Sequence, residues 1–373
     1  MAKVKVLCAL SGGVDSAVAA ALLKNGEFLP DGRQAEVSSV FIKFCSGCGK
    51  SRNFTLKEEK RAKKIARVLN IPFFVLDLQK EFKQIVIKKF LEECKKGKTP
   101  NPCVVCNKEI KFGLLAEKAL ELDFDFIATG HYARKDQIFQ LPAGKKKAKA
   151  LRYGLFSPED KNKDQTYFLY GLGQKQLRRA LFPLGEYSKI QVKKMAEKFN
   201  LPVSGIKESQ EVCFIPNRAE DFLKEKIKEN FGEIIDAAGK KIGRHKGLWF
   251  YTIGQRKGMG LAGGPYYVCG KNIEKNILIV SKEEKDLIKK KVFFKYSNWI
   301  SGKKPVFPLK AKAKIRYRSP LAFASVNKTK KRGVFEAVFT SPQKAVTPGQ
   351  SIVFYSVKTK KGGREVLGGG TII

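Results

Sequence analysis

Apolar residues run almost unbroken through Lys3–Leu10 (K-V-K-V-L-C-A-L) and then recur at helical spacing through Asp15–Lys24 (D-S-A-V-A-A-A-L-L-K). The first pattern predicts a short buried strand and the second a helix, with a glycine-bearing turn between them. The alternation continues. Glu36–Phe44 and Pro72–Leu78 read as strands, Thr55–Ile71 as an amphipathic helix, Phe82–Gly97 and Lys111–Leu122 as helices, and Phe124–Ala133 as a further strand. Strands that are apolar on both faces and separated by helices predict an α/β fold with a parallel sheet wound by helices.

The texture then changes twice. Gly144–Gly154 (G-K-K-K-A-K-A-L-R-Y-G) predicts a surface hairpin tip, and Lys175–Asn200 a helix-rich segment. Beyond about Asn217 glycines multiply and strands shorten, which predicts a small mixed domain. From about Lys291 the segments K-A-K-I-R-Y-R-S-P, V-F-E-A-V-F-T-S-P and Q-S-I-V-F-Y-S alternate apolar and polar residues between turns, as small β-barrels do. The expected division is 1–217, 218–288 and 289–373. No internal repeat is visible.

Charge sharpens this picture. The chain has 373 residues and 74 Lys+Arg against 35 Asp+Glu, a formal charge of +39. That excess predicts a polyanionic partner, with nucleic acid first and an anionic membrane second. From Lys291 onward there are about 18 Lys or Arg and two acids, so the positive field is strongest in the expected barrel. No apolar run reaches the roughly 18 residues of a membrane span, and the charged Asp15 interrupts an N-terminus that otherwise imitates an export signal. The eight cysteines, at 8, 45, 48, 94, 103, 106, 213 and 269, are too sparse for a disulfide scaffold. Reduced thiols in a cytoplasmic protein are expected.

Two places carry chemistry. A-L-S-G-G-V-D-S, Ala9–Ser16, lies between strand and helix, where backbone N–H groups and the positive helix end favour phosphate. Asp15 would either hold Mg²⁺ or order the loop. Two other motifs are decoys. Gly49–Ser51 (G-K-S) has Phe44 where a Walker loop needs glycine, and Gly258–Gly263 (G-M-G-L-A-G) opens no helix in a βαβ unit. The second chemical place is N-P-C-V-V-C, which sets Cys103 and Cys106 three apart behind a Pro-Asn-Pro turn. This pair reads as a metal clip, a redox pair, or a nucleophile beside a bystander. Cys45 and Cys48 could join it in a four-thiolate zinc site. Of the two histidines, His131 is a candidate RNA contact and His245 a support of the central fold.

The S-G-G-V-D-S loop resembles that of the PP-loop ATP pyrophosphatases. With T-G-H-Y-A-R (129–134), K-D-Q-T-Y-F-L-Y (163–170), E-S-Q-E-V-C-F-I (208–215), Y-T-I-G-Q-R-K-G (251–258), A-V-T-P-G-Q-S-I-V-F-Y (345–355) and the terminal L-G-G-G-T-I-I, the whole chain is similar to the tRNA-specific 2-thiouridylases. That resemblance implies ATP- and Mg²⁺-dependent replacement of the C2 oxygen of the wobble uridine by sulfur, in tRNAs for Lys, Glu and Gln. A sulfur-donor protein, such as a cysteine desulfurase or a sulfur-relay protein, is implied as partner. By position, Ala9, Leu10, Ser11, Gly12, Gly13, Val14, Asp15, Ser16, Ile42 and Gly130 would contact ATP. Asn101, Pro102, Cys103, His131, Lys163, Asp164, Gln165, Arg316, Tyr317 and Gln350 would touch tRNA or its target base.

In the family pattern Cys106 matches the nucleophile and Cys213 the persulfide carrier, a pair that ends the cycle as a disulfide. Cys103 departs from the pattern, because the familiar version has aspartate there. Cys103, Cys106 and Cys213 could instead supply three thiolates to a 4Fe-4S cluster, as in related tRNA thiolases. A structural or zinc role is the third possibility. The rival functions are a PP-loop ligase, such as an amidating synthetase acting on a small metabolite, and a non-catalytic RNA-binding protein.

Overall fold

The structure, a computed structural model, describes residues 3–28, 34–44, 52–140, 150–203, 205, 212–215, 219–359 and 363–373. Strand β1 (Val4–Ala9) leads through a tight loop into helix α1 (Val14–Lys24). Then follow β2 (Ala35–Lys43), helix α2 (Arg52–Val68), β3 (Phe73–Asp77), two long helical runs at 79–95 and 102–121, and β4 (Phe126–Ala128). A hairpin of β5 (Arg134–Gln140) and β6 (Ala150–Phe156) precedes β7 (Ala180–Leu181). The first sheet is wholly parallel, in the order β3-β2-β1-β4-β7.

Alternate residues of these strands enter opposite cores, which explains their unbroken apolar sequence. Val6 and Cys8 of β1 pack with α1, α2 and the helix Lys189–Lys198. Leu7 of β1, with Val40 and Ile42 of β2, packs with the 79–95 and 102–121 helices. The strand order reverses between β1 and β4, so the loops leaving their carboxyl ends open a crevice at a topological switch point.

The central unit is a four-stranded sheet of β8 (Gly232–Ile235), β9 (Lys241–His245), β10 (Tyr267–Asn272) and β11 (Ile277–Ser281), in the order β10-β11-β8-β9. His245 is fully buried in it; Gly247 N–H donates to its Nδ1 at 3.1 Å, and Nε2 lies 3.0 Å from the Asn276 carbonyl. Its role is structural, as expected. The G-M-G-L-A-G segment is loop, with Met259 buried, and opens no helix.

The C-terminal unit is a closed six-stranded antiparallel barrel. Its strands are β12 (Ile288–Trp299), β13 (Leu309–Lys314), β14 (Ala322–Lys328), β15 (Phe335–Lys344), β16 (Ser351–Tyr355) and β17 (Glu365–Ile372). They pair in the order β12-β15-β14-β13-β16-β17, and β17 closes back on β12.

Three expectations need correction. The strand foreseen over Phe124–Ala133 is only three residues long, because the T-G-H turn ends it. The helix foreseen from Lys111 begins at Pro102, where proline is tolerated because the first-turn N–H has no intrahelical partner. The basic hairpin is not a free surface element. Its strand β6 pairs with β17, so that β5 and β6 extend the barrel sheet, and Arg152 fastens the join to the buried Glu365 at 2.7 Å. The tip of that hairpin, 141–149, lies outside the described residues.

Candidate active site

The loop after β1 is ordered by its own hydroxyls. Ser11 N–H donates to Ser16 Oγ at 3.1 Å, Ser16 Oγ donates to the Gly13 carbonyl at 3.1 Å, and the two serine hydroxyls lie 3.1 Å apart. Gly12 has φ +79°, and a Cβ there would sit 2.7 Å from the Glu58 carbonyl of α2. Only glycine combines that backbone with that approach. Residues Ser16 to Leu23 of α1 are all buried, so the helix start is fixed in the core and its N–H groups face the crevice.

Asp15 orders this loop by joining it to two distant segments. Its Oδ1 accepts from Lys189 Nζ at 2.6 Å and from the Tyr132 hydroxyl at 2.8 Å, and the Lys189 side chain is only 9% exposed. Of the two roles foreseen for Asp15, this geometry supplies the ordering one. Gly130 approaches from the end of β4: a Cβ there would lie 2.7 Å from the Ser16 backbone nitrogen. The S-G-G and T-G-H loops are therefore in backbone contact, and Ile42 is buried in the core of the same sheet.

His131, next in the chain, turns toward the sulfur side. It hydrogen-bonds Thr129 Oγ1 at 2.8 Å and lies against Phe112 and Phe182, with ring centroids 6.0 and 6.5 Å away. Burial, and then the Lys111 charge, hold its pKa well below the ordinary histidine value, so the ring is neutral at pH 7.

Phe112 and Lys111 belong to the same helical run as the thiols. The run begins at Asn101-Pro102, is α-helical over Pro102–Val105, widens to π-type turns over Cys106–Leu114 and returns to α over Leu115–Glu121. Such widened turns redirect side chains and recur at functional sites. Cys106 is buried, and burial pushes its thiol to about 12; half-buried Cys103 is pushed to about 11. Lys111 pulls both downward, while Cys213 pushes both upward, so the three thiols share one electrostatic neighbourhood.

Cys213 itself is exposed on a turn, with its neighbours holding that turn in place. Phe214 is buried edge-on against Phe82, Phe90 and Phe222 at 5.5–5.7 Å, and Ile215 N–H bonds back to the Val212 carbonyl. None of the six described cysteines is in a disulfide.

Among the described residues the structure holds no preformed three-thiolate site for the foreseen cluster: no three His, Cys, Asp or Glu side chains converge to hold a metal ion. Cys45 and Cys48 lie outside the described residues, and the zinc reading with them.

Several residues foreseen as tRNA contacts spend their side chains on the protein. Asp164 is buried and accepts from the Thr166 N–H and hydroxyl, closing the turn at 164–168. Gln165 accepts the Tyr132 N–H at 2.9 Å. Gln350 donates to the Thr99 carbonyl at 2.8 Å, and Thr99 N–H donates to the Pro348 carbonyl, so the T-P-G-Q turn of the barrel grips the loop leading to Pro102. The central unit grips the same loop: Lys271 donates to the Gly97 carbonyl, and the Thr252 and Thr99 hydroxyls lie 3.2 Å apart. Arg316 reaches the carbonyls of Lys344 and Ala345, and Tyr317 packs tilted against Phe168 with ring centroids 4.5 Å apart. Beyond them runs a groove of about 1290 Å³ along the barrel, lined by Lys290, Lys310, Arg316, Arg318 and Lys344 among others. The positive lining suits a phosphate backbone.

A phosphate loop at the switch point of a parallel sheet, thiols near the same edge and a basic barrel behind them define the class: an α/β nucleotide enzyme of the HUP type with two appended β units. Comparison with known proteins agrees. Residues 4–217 match the family model described as a tRNA methyl transferase HUP domain, 220–282 the tRNA methyl transferase PRC-barrel domain, and 289–372 the aminomethyltransferase beta-barrel domain. The tRNA-specific 2-thiouridylase MnmA of Halothermothrix orenii is 43% identical over 99% of this chain and 98% of its own. That of Carboxydothermus hydrogenoformans is 42% identical over 99% and 97%. The chain belongs to the tRNA-specific 2-thiouridylase family. A solved structure, the U34-tRNA thiolase NcsA from Methanococcus maripaludis with its [4Fe-4S] cluster, covers 60% of this chain and 62% of its own at 19% identity and a TM-score of 0.35, too distant to bear on the sulfur chemistry.

Sequence reasoning missed Lys111, Lys189 and Tyr132. Lys111 stood within the thiol motif itself, five residues past Cys106, and its charge was the available signal. Nothing in the sequence pairs Asp15 with Lys189, 174 positions away. Among the described residues no helix is long and apolar enough to cross a membrane.

Proposed function

We propose that the protein carries out ATP-dependent 2-thiolation of the wobble uridine of tRNA, in the isoacceptors for Lys, Glu and Gln. Residues 1–217 do the chemistry, while 218–288 and 289–373 seat the RNA. MgATP is the substrate of the crevice. The uridine O2 attacks the α-phosphorus, the bond to the β-phosphate breaks, pyrophosphate leaves with the bonding pair, and the N3 proton goes to solvent. Backbone N–H groups at Gly12 to Ser16 stabilise the phosphate charge.

Sulfur arrives from a donor protein as a persulfide on exposed Cys213. Its terminal sulfur attacks C2 and AMP departs with the C–O pair. The Cys106 thiolate then attacks the Cys213 sulfur, giving a Cys106–Cys213 disulfide and releasing the thiouridine sulfur, and an external thiol reductant resets the pair. Cys106 rests protonated at about 12, so its ionisation must await the reaction, with Lys111 as the nearby cation that favours the thiolate.

The observation that carries this reading is the pairing of an exposed and a buried thiol in one electrostatic neighbourhood, joined to the phosphate loop through His131, Gly130 and Ser16. A ligase acting on a small metabolite would use the loop but neither the second thiol nor the basic groove. The test is Cys213→Ala. It should abolish thiouridine formation while sparing tRNA binding and tRNA-dependent pyrophosphate release; a normal thiouridine yield would sink the assignment.

A further inference from the structure

Three cations stand near the nucleotide loop, and two of them are engaged. Lys189 is paired with Asp15, and Lys43, at the carboxyl end of β2, is paired with Glu59 of α2 at 3.0 Å. Arg61, two residues further along α2, is different. Its Cβ and Nε each lie 3.4 Å from the position a Gly12 Cβ would occupy, so the side chain rests on the phosphate loop itself. Its Nε is buried without a hydrogen-bond partner, and its guanidinium makes no ion pair among the described residues. A buried N–H left unsatisfied is destabilising, and more so when it is charged. A protein keeps such a group where a ligand completes it.

The ligand chemistry follows from the place. The loop presents backbone N–H groups to phosphate, and bound ATP brings up to four negative charges into a crevice whose other cations are already neutralised. A guanidinium offers a planar fork of donors that matches two phosphate oxygens at once. The absent Cβ at Gly12 is what lets α2 carry Arg61 this close.

We propose that Arg61 is a phosphate ligand of this site, hydrogen-bonding the β- and γ-phosphates of ATP and then the pyrophosphate that leaves. The inference rests on the reading that the loop turns over ATP. As the bond between the α-phosphorus and the bridging oxygen breaks, the electron pair moves onto the departing pyrophosphate. A donor fixed there is worth most at that moment. Arg61 does not contact the α-phosphate or the base in this scheme, so it separates ATP from AMP.

The test is calorimetric binding of MgATP, magnesium pyrophosphate and AMP to the full chain without tRNA. Arg61→Gln keeps the aliphatic stem that packs on Gly12, and Arg61→Ala removes it. Both should weaken ATP and pyrophosphate by about 10–100-fold and AMP by no more than about twofold, with Arg61→Lys partly restoring ATP affinity. Unchanged ATP affinity in both variants overturns the inference. So does an equal loss of ATP and AMP, which would mark Arg61 as packing only. A parent protein that binds ATP but releases no pyrophosphate with tRNA would sink the functional reading and leave the Arg61 comparison intact. A parent that binds no ATP overturns both.

Discussion

At the carboxyl edge of the first sheet, Ser11, Gly13 and Ser16 are tied to one another by hydrogen bonds of 3.1–3.4 Å, and Asp15 is held by Lys189 and Tyr132. The sulfur side of the same edge is held differently. Cys103 lies in the α-helical first turn and Cys106 at the start of the widened turns, both thiols kept protonated by burial, and Cys213 waits on an exposed turn. The loop half is held in one arrangement by its own bonds, whereas Cys103 and Cys106 rest as protonated thiols until something changes their electrostatics. The order suits a two-step reaction, because a thiolate released before the base is activated would be oxidised without product.

The strongest way to break that contrast is to damage the rigid half. Gly130→Ala places a methyl group 2.7 Å from the Ser16 nitrogen and 2.8 Å from the Asp15 carbonyl carbon, both backbone atoms with nowhere to move. Separating the two loops should weaken ATP binding by about 100-fold, on the order of the 1–3 kcal/mol that overpacking costs. Reactivity of Cys213 toward an alkylating agent should be unchanged. Equal losses in both measurements would mean that the two halves are one rigid unit after all.

The second test acts on the thiol half. Lys111 lowers the pKa of Cys103, Cys106 and His131 alike, although burial dominates each. Lys111→Met removes a cation that favours the thiolate, so both thiol pKa values rise further. At a fixed pH of about 9 the alkylation of Cys103 should slow several-fold, with the pH–rate curve displaced upward, while ATP affinity stays the same. The His131 pKa should rise with them, because losing the nearby positive charge also relieves the imidazolium. A titration that leaves the thiols where they were, or moves the thiols and the histidine in opposite directions, would remove Lys111 from this role.

Much of this was legible in the chain. The S-G-G-V-D-S loop announced itself because a phosphate site needs small residues between an apolar strand and an alanine-rich helix, and both flanks are local. The parallel sheet and the barrel followed from periodicity. What stayed hidden was non-local. The β5–β6 hairpin looked like a basic surface arm, and its pairing with β17 depends on a register more than 200 residues away. Asp164, Gln165 and Gln350 read as polar groups aimed at RNA; in the free protein Asp164 closes a turn, Gln165 ties its loop to Tyr132, and Gln350 bridges two units. Polar residues in a motif carry no label for whether their partner is a ligand or the protein's own backbone.

Gln350 gives the finest test of that ambiguity. Its amide donates to the Thr99 carbonyl across the join between barrel and catalytic sheet, and the gripped loop runs straight to Cys103. If its work is positioning, Gln350→Ala loses one hydrogen bond, about 1 kcal/mol. Amide exchange over residues 97–101 should quicken and the thiolation kcat fall several-fold, with the KM for tRNA unaltered. If its work is RNA contact, KM rises and exchange in the free protein stays as it was. ATP affinity should not move in either case, since no bond of Gln350 reaches the phosphate loop. Through Pro348 and Gln350 the barrel holds the loop that leads to Cys103, so under the proposed function the seating of RNA and the placement of sulfur would depend on the same few contacts.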